Sequence, residues 1–158
     1  MKTLLIPSLL GLLLCTSCKK NTTCDIAEPS AVASATEIAD MKTYLNSQGI
    51  TATEHSSGLF YKIEDEGSNS QPNLCSDVSV KYVGKLTNGT IFEQINSTTT
   101  LPLGNLIVGW QIGLQKIGKG GKINLYIPAS LGYGSTSRPS IPANSPLIFT
   151  IDLISYIN

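Results

Sequence analysis

The chain has 158 residues, which is enough for one domain with its own core but hardly for two. Eleven Lys and Arg residues balance eleven Asp and Glu residues. Because nucleic-acid binding depends on a surplus of positive charge, this balance argues against a nucleic-acid partner. The single histidine, His55, also excludes a zinc site built from several imidazoles, so we expect no metal.

Near the start of the chain, the positively charged Lys2 precedes an apolar segment over residues 4–14. This segment is shorter than the roughly 20 residues that span a membrane, and it predicts a secretory signal. The sequence Cys15-Thr16-Ser17-Cys18 that follows resembles the processing box of bacterial lipoproteins, in which cleavage leaves a lipidated cysteine at the new N-terminus. Since the small residue Ser17 precedes Cys18, we expect residues 1–17 to be a signal peptide and Cys18 to be lipidated. A plain cleaved signal is the alternative.

Small and polar residues dominate residues 18–33, which predicts a flexible, lipidated tether. No acidic sorting residue follows Cys18, which favours attachment to the bacterial outer membrane on its periplasmic side. Cys24 and Cys75 are then an even pair in a compartment where disulfides persist. Because the sequence gives no distance between them, a disulfide and two free thiols are both open.

Residues 34–57 are predicted to form an N-terminal helix and its connection. Ser34 and Glu37 have the spacing of a capping box, and Gly49 ends the pattern. The apolar residues between them fall at helical spacing: Ile38, Met41 and Leu45. This stripe predicts a helix that packs on the domain, with partner binding or pairing of two chains as the alternative, so monomer and dimer are both open.

From residue 58 onward the apolar residues alternate with period two, which predicts strands. The predicted strands cover residues 59–63, 77–83, 85–87, 90–92, 123–127 and 147–154. Asn88-Gly89 predicts a hairpin with a type I′ turn, because both residues tolerate the positive φ that this turn demands.

One short helix interrupts the strands, since Trp110, Leu114 and Ile117 lie at helical spacing before Gly118. The fold class is therefore α+β, an antiparallel sheet curled over a short helix. Residues 113–120 nearly match a phosphate-binding P-loop, but Gly120 stands where Ser or Thr must hold magnesium. We expect a turn there, and a solvated loop around His55.

Short motifs in the second part of the chain occur in a characteristic order. They are Tyr82-Val83-Gly84, Asn88-Gly89, Ile91-Phe92-Glu93, Leu106-Ile107, Gly109-Trp110, Ile127-Pro128, Leu131-Gly132-Tyr133-Gly134, Ile141-Pro142 and Leu147-Ile148-Phe149. With this order and spacing, residues 58–156 resemble an FKBP-type peptidyl-prolyl cis-trans isomerase. The resemblance implies a half-wrapped antiparallel sheet around a short helix, formed by residues 58–158. A helix before the domain, as over residues 34–48, is also similar to bacterial members of the family.

The resemblance implies rotation about the bond before proline in polypeptide substrates, without a cofactor. By resemblance Trp110 is the floor of an aromatic pocket, and the hydroxyl of Tyr133 binds a substrate carbonyl. The N–H of Ile107 binds another carbonyl, and Glu93, where the family usually has Asp, orients the polar edge. The remaining residues implied for the pocket are Tyr82, Phe92, Phe149, Leu106 and Ile141.

We therefore expect an isomerase that assists the folding of exported proteins in the bacterial cell envelope. A module that binds peptides as a chaperone in the same groove, without catalysis, is the alternative. Two departures from the family pattern keep this alternative open. They are Glu93 and Leu101, and Leu101 stands near a position where the family commonly has an aromatic residue in the wall of the pocket.

Overall fold

The computed structural model describes residues 24–158. The predicted signal peptide over residues 1–17 and the predicted lipidation of Cys18 lie outside the described residues. Within the described part of the chain, no helix has the length and apolar character needed to cross a membrane.

The first helix, α1, runs from Ala35 to Ser47 and begins at the predicted capping box. The Ser34 hydroxyl accepts a hydrogen bond from the N–H of Glu37 at 3.2 Å, and the Glu37 carboxylate accepts one from the N–H of Ser34 at 2.9 Å. These two bonds satisfy N–H groups that a helix leaves unpaired at its start. Met41 and Leu45 are buried, so α1 packs on the sheet in a single chain. Pairing of two chains through this helix stays a prediction.

Six strands form one antiparallel sheet, and their bounds are β1 Thr53–Glu54, β2 Phe60–Asp65, β3 Asp77–Leu86, β4 Ile91–Pro102, β5 Lys122–Ile127 and β6 Leu147–Ile157. The order of the strands in the sheet is β1-β2-β5-β6-β3-β4. The predicted α+β class, an antiparallel sheet around a short helix with a further helix before it, is confirmed.

The second helix, α2, runs from Val108 to Leu114 and lies on one face of the sheet. Its glycines allow a close approach, since a Cβ at Gly109 would lie 2.6 Å from a methyl carbon of Ile127, and one at Gly113 would collide with Leu125. Neighbouring residues of a strand point to opposite faces. Tyr126, between these two contacts, packs with the residues that α1 buries, so the two helices cover opposite faces of the sheet.

The helix is shorter than the sequence predicts. It ends at Leu114, and Ile117 follows in a turn, where it is still fully buried. The P-loop-like residues 113–120 therefore lie at the end of a helix and in the turn before β5. This is not the strand, loop and helix order that a P-loop requires, in agreement with the expected turn.

The hairpin between β3 and β4 is present, but the predicted type I′ turn is wrong. Only Gly89, at φ 87°, has a positive φ, whereas a type I′ turn needs two such residues. The N–H of Gly89 donates to the carbonyl of Leu86, and the N–H of Leu86 donates to the carbonyl of Thr90, both at 2.9 Å. The loop thus has three residues, and glycine alone takes the left-handed conformation.

The segment over residues 24–33, predicted as part of the tether, is attached to the domain at both ends. Cys24 and Cys75 form a disulfide with their Cα atoms 5.6 Å apart. At the other end, Ala33 is buried and donates a backbone hydrogen bond to Ser57 at 2.9 Å. Between them, the Glu28 carboxylate accepts a hydrogen bond from Gln115 on the turn after α2.

We predict that reducing the Cys24–Cys75 disulfide destabilises the domain. The bond joins residues 51 positions apart, and opening a loop of that size lowers the free energy of unfolding by up to roughly 4 kcal/mol through the entropy of the unfolded chain. The measurement is thermal and urea unfolding of residues 24–158 with and without reductant. The double variant Cys24→Ser/Cys75→Ser is the control and should not respond to reductant. The prediction is wrong if the unfolding midpoint of the wild-type protein does not change in reductant after both thiols have been shown to be free.

Candidate active site

A cavity of about 170 Å³ opens between α2 and the face of the sheet on which α2 packs. Its walls come from three strands, from α2, from the loop before α2 and from the loop that follows β5. The lining residues are Tyr82, Glu93, Leu101, Asn105, Leu106, Ile107, Trp110, Tyr133 and Phe149. Most of the predicted site residues thus meet in one cavity.

The floor of the cavity is aromatic and rigid. Trp110 and Phe149 are 4% and 3% exposed, with ring centroids 5.2 Å apart and planes at 87°. Tyr82 meets Trp110 edge to face at 4.9 Å. Aromatic rings prefer this arrangement because the positive edge of one ring faces the negative face of the other. Each ring therefore restrains the orientation of its neighbour.

Two predicted site residues lie beside the cavity rather than in its lining. Phe92 stacks edge to face behind Phe149 with centroids 5.5 Å apart, and Ile141 is buried nearby. Both line an adjoining groove of about 540 Å³. We call it the Arg138 groove, and its lining residues are Phe92, Glu93, Tyr133, Arg138, Pro139, Ser140 and Ile141. Glu93 and Tyr133 belong to both spaces, so the groove continues the cavity.

A bulge in β4 accounts for the position of Phe92. Gly84 pairs with Glu93 and Lys85 pairs with Ile91, so Phe92 has no register partner on β3. An extra residue of this kind bends its strand and changes the direction of side chains. The ring of Phe92 occupies the space over Gly84, where a Cβ would lie 2.5 Å from it.

The sequence-based list of site residues omitted Asn105, and it named Leu101 only as a departure from the family pattern. Leu101 lines the cavity from the end of β4, and Asn105 lines it from a 3₁₀ turn over Leu103–Asn105. This turn directly precedes the Leu106-Ile107 motif. Adjacency to that motif was the only signal in the sequence for Asn105.

A glutamine side chain fixes the loop before α2. The amide nitrogen of Gln111 donates to the carbonyl of Gly104 at 3.0 Å and to that of Leu106 at 2.7 Å. The carbonyl of Ile107 accepts from the first turn of the helix, from the N–H of Trp110 at 2.9 Å. Among residues 24–158 no acceptor pairs with the N–H of Ile107. This N–H is a donor at the wall of the cavity.

Two tyrosine hydroxyls at the cavity stay protonated. Burial raises the pKa of Tyr82, and a hydrogen bond to the Glu93 carboxylate together with its negative charge raises it further. Burial and the charge of Glu93 also raise the pKa of Tyr133, while the Arg138 guanidinium opposes the shift. Both groups are therefore neutral O–H donors at any physiological pH.

The floor also contains a polar atom without a partner. The Nε1–H of Trp110 is buried and makes no hydrogen bond to the residues that the structure describes. Leaving such a donor unpaired costs about 1–3 kcal/mol. Folded proteins usually pair such donors, so this indole N–H is an exception to the general rule.

His55 lies outside the cavity and is not the solvated loop residue that the sequence predicts. Its ring is half-buried, and Nδ1 lies 3.0 Å from the Ser57 hydroxyl and accepts from the N–H of Ser57 at 3.2 Å. Burial lowers the pKa of His55, and the positive charge of Lys116 lowers it further. The imidazole therefore stabilises a turn, because its acceptor nitrogen satisfies a backbone N–H.

The chain belongs to the FKBP-type peptidyl-prolyl cis-trans isomerase family, whose model matches residues 68–154. Among curated proteins it is similar to the FKBP-type peptidyl-prolyl cis-trans isomerase FkpA of Buchnera aphidicola from Schizaphis graminum. The two are 43% identical over 122 residues, which is 75% of this chain and 48% of the relative. FkpA of Escherichia coli K12 is 40% identical over 104 residues, which is 63% of this chain and 38% of the relative.

Solved structures show the same fold. The crystal structure of FkpA from Escherichia coli superposes with a TM-score of 0.69 at 34% identity, covering 77% of this chain and 60% of that one. A peptidyl-prolyl cis-trans isomerase from Pseudomonas syringae superposes with a TM-score of 0.68 at 26% identity, covering 82% of this chain and 100% of that one. This chain spans less than half the length of the curated FkpA relatives that it matches.

We predict that Tyr82 ionises at a pH well above the usual pKa of a tyrosine. Wild-type protein and Tyr82→Phe should give the same rise in phenolate absorbance per chain up to about pH 11, since an ordinary tyrosine ionises near pH 10 and Tyr82 does not. The two titrations should separate only above that pH. The measurement is absorbance at alkaline pH, with near-ultraviolet circular dichroism to confirm that both proteins remain folded. If the absorbance of Tyr82→Phe is already lower than that of the wild type by one phenolate per chain near pH 10, the prediction is wrong.

Proposed function

We propose that this chain is a cofactor-free peptidyl-prolyl cis-trans isomerase that binds proline-containing polypeptides in the aromatic cavity. The observation that carries the proposal is an apolar floor of Trp110 and Phe149 beneath a rim of hydrogen-bond donors. A proline ring is small and apolar, and its flanking peptide groups carry carbonyls that need donors. Family membership supports the same reaction.

The reaction needs no nucleophile, because rotation breaks no covalent bond. Its barrier of about 18–20 kcal/mol comes from the partial double bond of the amide. Resonance places partial charges on the amide oxygen and nitrogen, and an apolar environment solvates those charges poorly. The twisted amide has lost the resonance, so the aromatic floor favours the transition state over the planar ground state.

The rim supplies the polar contacts in this proposal. The Tyr133 hydroxyl donates to one substrate carbonyl and the N–H of Ile107 donates to another, which holds the peptide while the bond rotates. Burial and the nearby Glu93 carboxylate raise the pKa of Tyr82, so its hydroxyl stays protonated in the cavity that Glu93 also lines. These donors are fixed before substrate arrives, which avoids the cost of orienting them during the reaction.

We further propose that the clients are exported proteins and that Cys18 anchors the enzyme by a lipid, on the periplasmic side of the bacterial outer membrane. The disulfide between Cys24 and Cys75 supports an oxidising compartment, since cytosolic proteins rarely keep such bonds. Metabolic labelling with a lipid precursor and loss of the label in Cys18→Ala test the anchor. Labelling that persists in this variant contradicts it.

The chain offers a matched pair of variants for the isomerase reaction. Phe149→Leu removes part of the cavity floor, whereas Leu153→Val removes buried atoms from the same face of β6 outside the cavity. We expect kcat/KM for a proline peptide to fall roughly tenfold in Phe149→Leu, which corresponds to about 1.4 kcal/mol lost from the transition state. Leu153→Val should lose stability but keep kcat/KM within about twofold, because it leaves the transition-state contacts in place. The measurements are a protease-free isomerisation assay and thermal unfolding.

Equal losses of activity in the two variants contradict the proposed site. The only tryptophan of the chain, Trp110, lies in the floor, so its fluorescence reports peptide binding independently of turnover. A wild-type protein that binds the peptide by this signal but does not accelerate isomerisation is instead a chaperone module that binds peptides.

A further inference from the structure

Glu37 joins the N-terminal helix to the loop that carries Tyr133. Its Oε1 accepts a hydrogen bond from the N–H of Ser130 at 2.8 Å, and its Oε2 accepts one from the Ser130 hydroxyl at 3.0 Å. The two residues are 93 positions apart, so the contact exists only while α1 packs on the domain. The carboxylate therefore does more than close the capping box at the start of α1.

The peptide unit between residues 129 and 130 is bonded at both of its ends. While its N–H donates to Glu37, its carbonyl oxygen accepts from the N–H of Gly132 at 3.0 Å and from the N–H of Gly134 at 2.8 Å. These glycines flank Tyr133, so the backbone on both sides of this tyrosine is bonded to one peptide group. A carboxylate that accepts from the N–H polarises the same peptide unit and strengthens the bonds at its carbonyl.

Two further backbone hydrogen bonds hold Tyr133 from its other side: its carbonyl accepts from the N–H of Thr136 at 3.1 Å, and the Gly134 carbonyl accepts from the N–H of Asn144 at 2.7 Å. The six residues 135–140 that follow it are all exposed. The Arg138 guanidinium lies 5.2 Å from the ring centroid, and such an exposed contact contributes about 0.5–1 kcal/mol. Of the hydrogen bonds that restrain the backbone around Tyr133, those to the 129–130 peptide unit are the ones that connect it to Glu37 on α1.

We propose that Glu37 is a positioning residue for the active site. Its carboxylate fixes the 129–130 peptide unit and, through Gly132 and Gly134, the orientation of Tyr133 in the wall that the cavity shares with the Arg138 groove. The consequence for catalysis rests on the proposed isomerase function, whereas the ordering of the loop does not.

The ionisation of Glu37 agrees with this role. Burial acts to raise its pKa, but hydrogen bonds from Ser34 and Ser130 outweigh burial and lower the pKa. The group is therefore a carboxylate at neutral pH, as the charge-assisted bond to Ser130 requires.

Amide hydrogen exchange tests the ordering of the loop. Glu37→Gln keeps the size of the side chain but removes its charge, which weakens the bond from the N–H of Ser130, since bonds to an ionised acceptor are about twice as strong as neutral ones. The 129–130 peptide unit is then held less firmly, and we expect the amides of Gly132 and Gly134, which donate to its carbonyl, to exchange roughly tenfold faster. Amides of β5 and β6 should not change. Asp40→Asn, which removes a negative charge from the same helix, should leave Gly132 and Gly134 unaffected. Unchanged exchange at both glycines in Glu37→Gln, or equal acceleration across β5 and β6, overturns the proposal.

A double-mutant cycle with Tyr133→Phe tests the consequence for catalysis. We expect Glu37→Gln to lower kcat roughly fivefold, with a smaller change in peptide affinity measured by Trp110 fluorescence, and to have little further effect when Tyr133 already lacks its hydroxyl. A residue that only stabilises the fold would instead give independent, additive losses, and that result overturns the proposal. If the wild-type protein does not catalyse isomerisation, the proposed function fails, and the exchange experiment alone decides whether Glu37 orders the loop.

Discussion

The close approach of α2 to β5 fixes the position of the other parts of the site. Gly109 and Gly113 leave no side chains between the helix axis and Ile127 and Leu125, so the short helix lies directly on the sheet. Trp110 lies beside one of these glycines in the first turn, and its indole becomes the floor against which other aromatic rings pack. A wider separation of helix and sheet would open the floor to water and remove the apolar environment on which the proposed bond rotation depends.

The sequence predicted those features that depend on local pattern. Alternating apolar residues placed the core strands, because one face of each is buried, and the spacing of Ser34 and Glu37 placed the start of α1. The order of the family motifs predicted that Trp110, Phe149 and Tyr133 share one pocket, and all three line the same cavity in the structure. The roles of these residues in binding and rotation stay predictions, since they concern a bound substrate.

Features that depend on contacts between distant residues could not be predicted. The bulge that turns Phe92 out of the cavity lining is a property of how β4 pairs with β3. Ile117 has the spacing of α2 yet lies past its end, because burial in a turn gives the same apolar signal as burial in a helix. The contact of Glu37 with Ser130 spans 93 positions and has no sequence signature, since the capping box alone explains a glutamate there.

The disulfide near the start of the described chain also has a geometric consequence for an anchored protein. If Cys18 is lipidated, only six residue steps separate the lipid from Cys24, and an extended chain of that length reaches about 20 Å. Without the disulfide the first residue buried in the domain is Ala33, and an extended chain from Cys18 to that residue reaches about 50 Å. The disulfide would thus limit the distance between the domain and the membrane surface, and with it the distance at which the domain can bind polypeptides.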